Sequence, residues 1–310
     1  MGRLIYIFVI IFTIGCTRTT TRTRPETNIH VGYEGLEMSF VKDAPPTEVY
    51  DRDYPFGVNV RFENVGEYDI PANKIKLQIT GIDPSDFGGV QLTNTNDEEL
   101  RGASIDPQGN AIEGGIANID FSGLQASEIT GKVEFNIRAK ACYPYGTTTV
   151  SQICILEDLL GTTRKSGETP FCDPNANKDF ENSGAPVQIT NFRQSVTGKD
   201  KLSFTFDISH VGEGRVYELN SECNPSLDKK DKVHVKVDTG LSNLECSGLE
   251  GKTEGNVVLY GTGQAEKRSV VCTQVVPATR TDNEKQVRIE LTYDYQQSIT
   301  QPLVVTHITT

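Results

Sequence analysis

The chain contains no tryptophan, and its four histidines, His30, His210, His234 and His307, stand far apart in sequence. Without an indole there is nothing of that kind to stack a sugar ring. None of the histidines sits in H-E-x-x-H or beside a cysteine at ligand spacing, so all four read as structural or exposed side chains. There is no G-x-S-x-G elbow, no P-loop and no G-x-G-x-x-G opening a helix. "GTGQAEKR" carries glycines but follows "VVLY" into another strand, as a hairpin turn does. No long stretch keeps a 3.6-residue apolar period, and only "SEITG" and "LEDLLG" suit short helical turns.

Positive charge is also scarce. Lys and Arg total 30 against 42 Asp and Glu, a net charge of -12, and the cations are scattered, which excludes a nucleic-acid groove and nucleic acid as a partner. Acidity of this kind indicates a soluble surface without naming what binds it. The 36% of hydrophobic residues is enough for buried cores, and the 310-residue length suits two domains.

No apolar run is long enough to cross a bilayer. The N-terminal run from Leu4 to Ile14 covers about 11 residues where a spanning helix needs roughly 20. Arg3 before it and Gly15 after it give residues 1–16 the shape of a signal peptide or lipoprotein signal, with Cys16 as the lipid-attachment residue. Thr13 and Ile14 depart from the lipoprotein pattern, so lipidation at Cys16, simple secretory cleavage and an uncleaved anchor all stay open. Each puts the body outside the cytoplasm, on the cell surface at the extracellular face of the membrane. Residues 17–32, beginning "TRTTTRTRPET", lack core-forming side chains at their start and read as a solvated tether.

No C-x2-C pair exists, which argues against structural zinc. Cys142, Cys154, Cys172, Cys223, Cys246 and Cys272 are therefore disulfide candidates, as six cysteines in an exported chain should be. Proximity suggests Cys142 with Cys154 and Cys246 with Cys272, leaving Cys172 and Cys223, although six cysteines allow fifteen pairings.

What the chain does have is a period of two. "FGVNVRFENVGEY" turns Phe56, Val58, Val60 and Phe62 to one side, and "KLSFTFDISHVGEG" does the same with Leu202, Phe204, Phe206 and Ile208. Further strands are expected at "KIKLQITGI", "GKVEFNIRAKACY", "VSQICIL", "DKVHVKVDTG", "NVVLYG", "SVVCTQVV" and "QVRIELTYDY". Short strands between Gly, Pro, Asn and Asp clusters predict an all-β sandwich architecture. The pattern occurs twice. "VNVRFENVGE" aligns without gaps on "FTFDISHVGE" (Val58 on Phe204), and Tyr143 and Tyr145 match Tyr293 and Tyr295. The reading is two sandwich domains, 33–156 and 184–310, joined by a linker, 157–183, rich in Gly, Pro and polar residues.

Val58, Val60 and Phe62 running into Asn64-x-Gly66, followed by "IKLQITGID", resemble the adhesion-related, immunoglobulin-like CARDB domains. The first half, with "ACYPYGTTTVSQICI" near its end, is similar to exported archaeal surface proteins. The likeness covers roughly residues 33–155 and 184–310, and His210 replaces Asn64 in the second copy. It implies tandem immunoglobulin-like modules displayed outside the cell and no catalytic residues.

One stretch has metal-ligand character. Asp173, Asn175, Asn177 and Asp179 alternate as in a calcium loop, but Lys178 and Gly184 stand where glycine and a bidentate glutamate belong. A weak calcium site competes there with a solvated linker; no other cofactor is expected. Asp97, Glu98 and Glu99 read as a loop tip, and Asp83 with Asp86 form the kind of carboxylate pair a glycosidase uses. The tyrosine pairs suit either an exposed binding strip or a sandwich corner with packed rings.

The expected function is a non-catalytic, membrane-tethered surface protein in structure or adhesion, whose partners are the membrane at its N-terminus and other surface proteins or glycans. The alternatives are a self-assembling filament component, in which the segment from Thr17 to Phe40 is donated to a neighbour's sheet edge, and a calcium- or glycan-binding module. A transporter's substrate-binding lipoprotein is disfavoured, since such proteins use α/β lobes.

Overall fold

The computed structural model describes residues 32–52, 54–165, 167–249, 253–261 and 266–309. Cys16, His30 and the tether lie outside the described residues. The described chain is all-β, with one 3-10 turn at Pro84–Phe87. The first half holds β1 (Leu36–Phe40), β2 (Glu48–Tyr50), β3 (Phe56–Asn64), β4 (Lys76–Thr80), β5 (Thr93–Thr95), β6 (Ser104–Ile105), β7 (Ala111–Ile112), β8 (Ile116–Leu124) and β9 (Lys132–Ile155). The second holds β10 (Phe180–Asn182), β11 (Val187–Gly198), β12 (Lys201–His210), β13 (Arg215–Tyr217), β14 (Lys232–Asp238), β15 (Leu244–Ser247), β16 (Glu254–Val258), β17 (Lys267–Val275) and β18 (Asn283–Thr306).

The period-two stretches form the strands they predict. β3 alternates buried and half-buried residues along its whole length, and burying Phe56, Val58, Val60 and Phe62 stabilises the fold by about 1.5–3 kcal/mol each. β3 is the middle strand of an antiparallel sheet ordered β1-β3-β8, and β12 holds the corresponding place in β11-β12-β17-β15. Both small sheets face one large sheet, ordered β16-β14-β18-β9-β4-β5. That order reads as a palindrome when β5 is matched to β16, β4 to β14 and β9 to β18. The duplication in the sequence is therefore also a duplication in topology.

The two halves share this sheet through one antiparallel pair. β9 and β18, each 24 residues long, pair from Lys132↔Thr306 to Ile155↔Asn283 without a register shift. The expectation of separate strands on either side of "YPYGTTT" is corrected here, since the strand runs straight through it. Pro144 is tolerated because of its facing. Thr148, four residues on and so pointing the same way, turns its N–H and C=O outward to Ser183, so the position of Pro144 turns away from β18 and no ladder bond is lost. The inner face of β9 buries Ile137, Ala139 and Ala141, then Tyr143 and Tyr145, then Thr147, Thr149, Ser151 and Ile153. It starts over β1-β3-β8 and finishes beside β11, where the Gln194 side-chain amide of β11 accepts the N–H of Cys154 of β9 and donates to its carbonyl. Each half thus lends its last strand to the other.

All six candidate cysteines are bonded: Cys142–Cys223, Cys154–Cys172 and Cys246–Cys272. The pairing of Cys246 with Cys272 follows expectation, because they face each other on β15 and β17. Cys142 with Cys154 does not. Both lie on β9, about 40 Å apart at the rise of a strand, far beyond the 4.4–6.8 Å a disulfide spans. Cys142 instead ties β9 to the loop after β13, and Cys154 ties the end of β9 to the 157–183 stretch, which adds β10 to the edge of β9.

Candidate functional site

The side chains richest in chemistry meet where the halves join. Tyr143 and Tyr145 of β9 lie opposite Tyr295 and Tyr293 of β18, and all four rings are buried. They touch edge-on, with centroids 6.0 Å apart for Tyr143–Tyr145 and for Tyr143–Tyr295 and 6.2 Å for Tyr293–Tyr295. The exposed-strip reading is thus replaced by the packed one.

Each hydroxyl has a partner. Tyr145 donates to Asn64 Oδ1 at 3.0 Å, and Asn64 Nδ2 donates to the carbonyls of Tyr68 (2.8 Å) and Leu100 (3.2 Å). In the second half the Tyr295 oxygen accepts from Gly214 N–H at 2.6 Å and stands 3.2 Å from His210 Nε2. Tyr143 donates to Gln297 Oε1 at 2.5 Å, and Tyr293 accepts from Val187 N–H at 3.2 Å. Burial pushes all four phenols up, so they stay protonated. Burial also pushes the His210 pKa down, favouring a neutral ring; its Nε2 contacts the Tyr295 hydroxyl and Nδ1 lies 3.4 Å from Glu266 Oε2.

The Asn-x-Gly motif is now explained. Gly66 and Gly212 lie against the hydroxyls of Tyr145 and Tyr295, and a Cβ at either place would overlap that oxygen. The residue two before each glycine supplies the group that holds the tyrosine. This is packing chemistry, and it recurs in both copies.

Two buried carboxylates escaped sequence reasoning. Asp294, between Tyr293 and Tyr295, accepts from the N–H groups of Asn220 (3.1 Å) and Glu222 (2.8 Å), while burial pushes its carboxyl up. Asp51 accepts from the N–H of Ile129 (3.1 Å) and of Ile308 (3.2 Å) and lies 2.7 Å from His307 Nδ1. The His307 contact holds its pKa at about 2. An isolated Asp in a turn and a histidine 256 residues later carry no mark that they will meet.

The remaining candidates do not converge. Asp173 caps the Asn175 N–H at 2.8 Å, Asn175 Oδ1 accepts from Val196 N–H at 2.8 Å, Asn177 bridges to Arg193, and the Asp179 carbonyl accepts from Ser151 at 2.8 Å. Among the described residues no group of three His, Cys, Asp or Glu is placed to hold a metal ion. Asp83 caps the turn at Ser85, while Asp97, Glu98 and Glu99 are exposed. His234 is 3.1 Å from Asn256 on the neighbouring strand.

The described surface also contains a groove of about 640 Å³ between the open edge of β1 and the outer edge of β18. Met38, Arg138, Lys140, Arg215, Ser298 and Ile299 are among the residues that line it.

No family model and no curated protein matches this chain. Among solved structures it is similar to red sea bream transglutaminase, with 11% identity over 89% of this chain and a TM-score of 0.18. The match covers 32% of that protein, and a score so low carries no argument about this one.

Proposed function

We infer that the protein is a non-catalytic, exported surface module that acts in structure or adhesion, tethered through its N-terminus. The observation that carries this reading is the joint: two all-β halves exchange 24-residue strands and are bolted by Cys142–Cys223. The groups with chemical potential there, four tyrosines, Asn64, His210 and Asp294, are buried and engaged with one another or with backbone. Three disulfides belong to an oxidising compartment, as export provides. The CARDB-like pattern supports the same reading, because Asn64 and Gly66 are the residues that seat Tyr145.

Protease shaving of intact cells tests the location, with mass spectrometry of the mature N-terminus testing the attachment at Cys16. Release of peptides from 33–310 is expected, and protection of the whole chain would count against surface display. A second reading, a filament component assembled by strand donation, is favoured by one feature, the outer edge of β18 between Gln297 and Leu303, which no strand of the described chain covers. Ordered polymers under the electron microscope would decide for it.

A further inference from the structure

The second half closes its open side with its own chain, and the first half does not. Where β11 lies beside the edge of β9, residues 176–182 cross from one sheet to the other. Lys178 N–H donates to the Phe192 carbonyl (2.8 Å) and Gln194 N–H to the Ala176 carbonyl (2.9 Å) on β11, and Phe180–Asn182 then pairs with β9. The matching side of the first half lies between β1 and β18, because Tyr143 and Tyr145 of β9 correspond to Tyr293 and Tyr295 of β18. It is the 640 Å³ groove, and no strand of the described residues enters it.

The groove presents unused backbone. Even-numbered residues of β18 turn their N–H and C=O outward, as the bonds from Val304 N–H to the Thr47 carbonyl and from Asp51 N–H to the Thr306 carbonyl establish. The β9–β18 ladder has no register shift, so Ser298 and Thr300 turn the same way, and their backbone groups have no backbone partner among the described residues. Pro302 adds a carbonyl but no N–H. The slot is closed by β13 at Gln296 and by β2 at Val304, about 26 Å apart at the rise of a strand. That length admits one short strand, whereas the long β18 edge of a second copy would run into β13 and β2.

The two faces of such a strand meet different chemistry. Residues opposite Ser298 and Thr300 point to the outer face of the shared sheet. There Lys140 and Arg138 stand in register with Ser298 and Thr300, Arg138 Nε reaches Thr300 Oγ1 at 3.3 Å, and Arg215 pairs with Gln296 at the end of the slot. Among the described residues none of these three cations is in an ion pair, although the chain's net charge is -12. The glutamates that line the groove, Glu34, Glu37 and Glu213, belong to β1, its approach and the turn before β13. A residue opposite Ile299 points inward, toward half-buried Ile299 and Met38.

We propose that this groove docks an extended peptide of a partner protein, added to β18 as an antiparallel strand that places acidic, apolar and acidic residues opposite Ser298, Ile299 and Thr300. The row of unused backbone donors and acceptors selects a peptide over an acidic polysaccharide. The stretch after Cys16 has the wrong charge, since its Arg18, Arg22 and Arg24 would meet Arg138 and Lys140. The inference rests on the edge and its charges and not on adhesion, so its failure would leave surface display untouched.

The test titrates the full chain with a fluorescein-labelled peptide, TDVDT, followed by anisotropy. Saturable binding is expected, with TRVRT at least about tenfold weaker. Arg138→Glu with Lys140→Glu should weaken TDVDT to the same degree while leaving the melting temperature unchanged. Methylating the amide nitrogen of either aspartate, which turns toward β18, should abolish binding; methylating that of valine, which turns away, should not. Hydrogen exchange in 297–301 should slow on binding, with 287–291 unaffected. Equal effects of the methylations would reduce the contact to ionic adsorption and overturn strand addition. Tighter binding of a peptide copying residues 17–31 would overturn the acidic partner in favour of exchange between copies. No binding of TDVDT at millimolar concentration would overturn the site itself.

Discussion

Asn64 and His210 occupy equivalent places at the ends of β3 and β12, and each meets the hydroxyl of a long-strand tyrosine, Tyr145 at 3.0 Å and Tyr295 at 3.2 Å. The contact joins a small sheet to the shared sheet once in each half. Tyr145→Phe removes the donor and leaves the Asn64 carbonyl oxygen buried without it, at a cost of about 1–3 kcal/mol. Gly66→Ala pushes a methyl into the hydroxyl and should cost at least as much. Denaturant unfolding of both variants checks the order, and a Gly66→Ala protein as stable as the parent would refute the seating.

The two copies differ in one titratable group, which makes the joint pH-dependent on one side. Burial lowers the His210 pKa in the fold, so the unfolded chain binds a proton that the folded chain resists. Stability from this site is therefore complete above the ordinary histidine value near 6.5 and declines as pH falls below it. His210→Asn, which installs the residue of the first copy, should flatten unfolding free energy between about pH 6.5 and 5 while keeping the tyrosine contact. A variant with the parental slope in that window would show that another group titrates.

Asp51 and His307 fasten the C-terminal end to the loop after β2. Because the His307 contact depresses the Asp51 pKa to about 2, the stabilisation is present above the ordinary carboxylate value near 4 and is lost as pH falls toward 2. Asp51→Asn should remove that acid-side loss and speed hydrogen exchange at His307 and Ile308. Unchanged exchange there would mean that the tail is held by other bonds, such as that from His307 N–H to the Gly131 carbonyl.

Much of the fold was legible because alternation survives wherever one face is buried. β3 and β12 were found at Phe56 and Leu202 for that reason, and the repeat was visible because both copies keep Val-Gly-Glu after the strand. The shared sheet was not legible. Pro144 and the glycine at 146 mimic a turn, and only the neighbours of β9 reveal that Pro144 faces an edge. The tyrosine pairs were found as a pattern, but their burial depends on β18 crossing β9, which no local signal encodes. The cysteine pairing was misread for the same reason, since adjacency in sequence becomes distance once the strand runs on.

Exchange of the long strands makes a prediction about cutting the chain. The connector from Leu160 to Phe171 is largely exposed, so a protease should nick it before the sheets open. Two separate sandwiches would then drift apart, held only by a covalent tether. Here the fragments share the β9–β18 ladder over 24 residues and are crossed by two disulfides, Cys142–Cys223, which closes 81 residues, and Cys154–Cys172, which brackets the nick. The nicked protein should therefore elute as one species under native conditions, with or without mild reductant, and separate only when reduced and denatured together. Cys142→Ser with Cys223→Ser should still hold the fragments together, even after mild reductant has opened Cys154–Cys172, but lower stability by about 4.5 kcal/mol in the loop-entropy estimate. Fragments that part on reduction alone would show that the disulfides, and not the shared strand pair, join the halves.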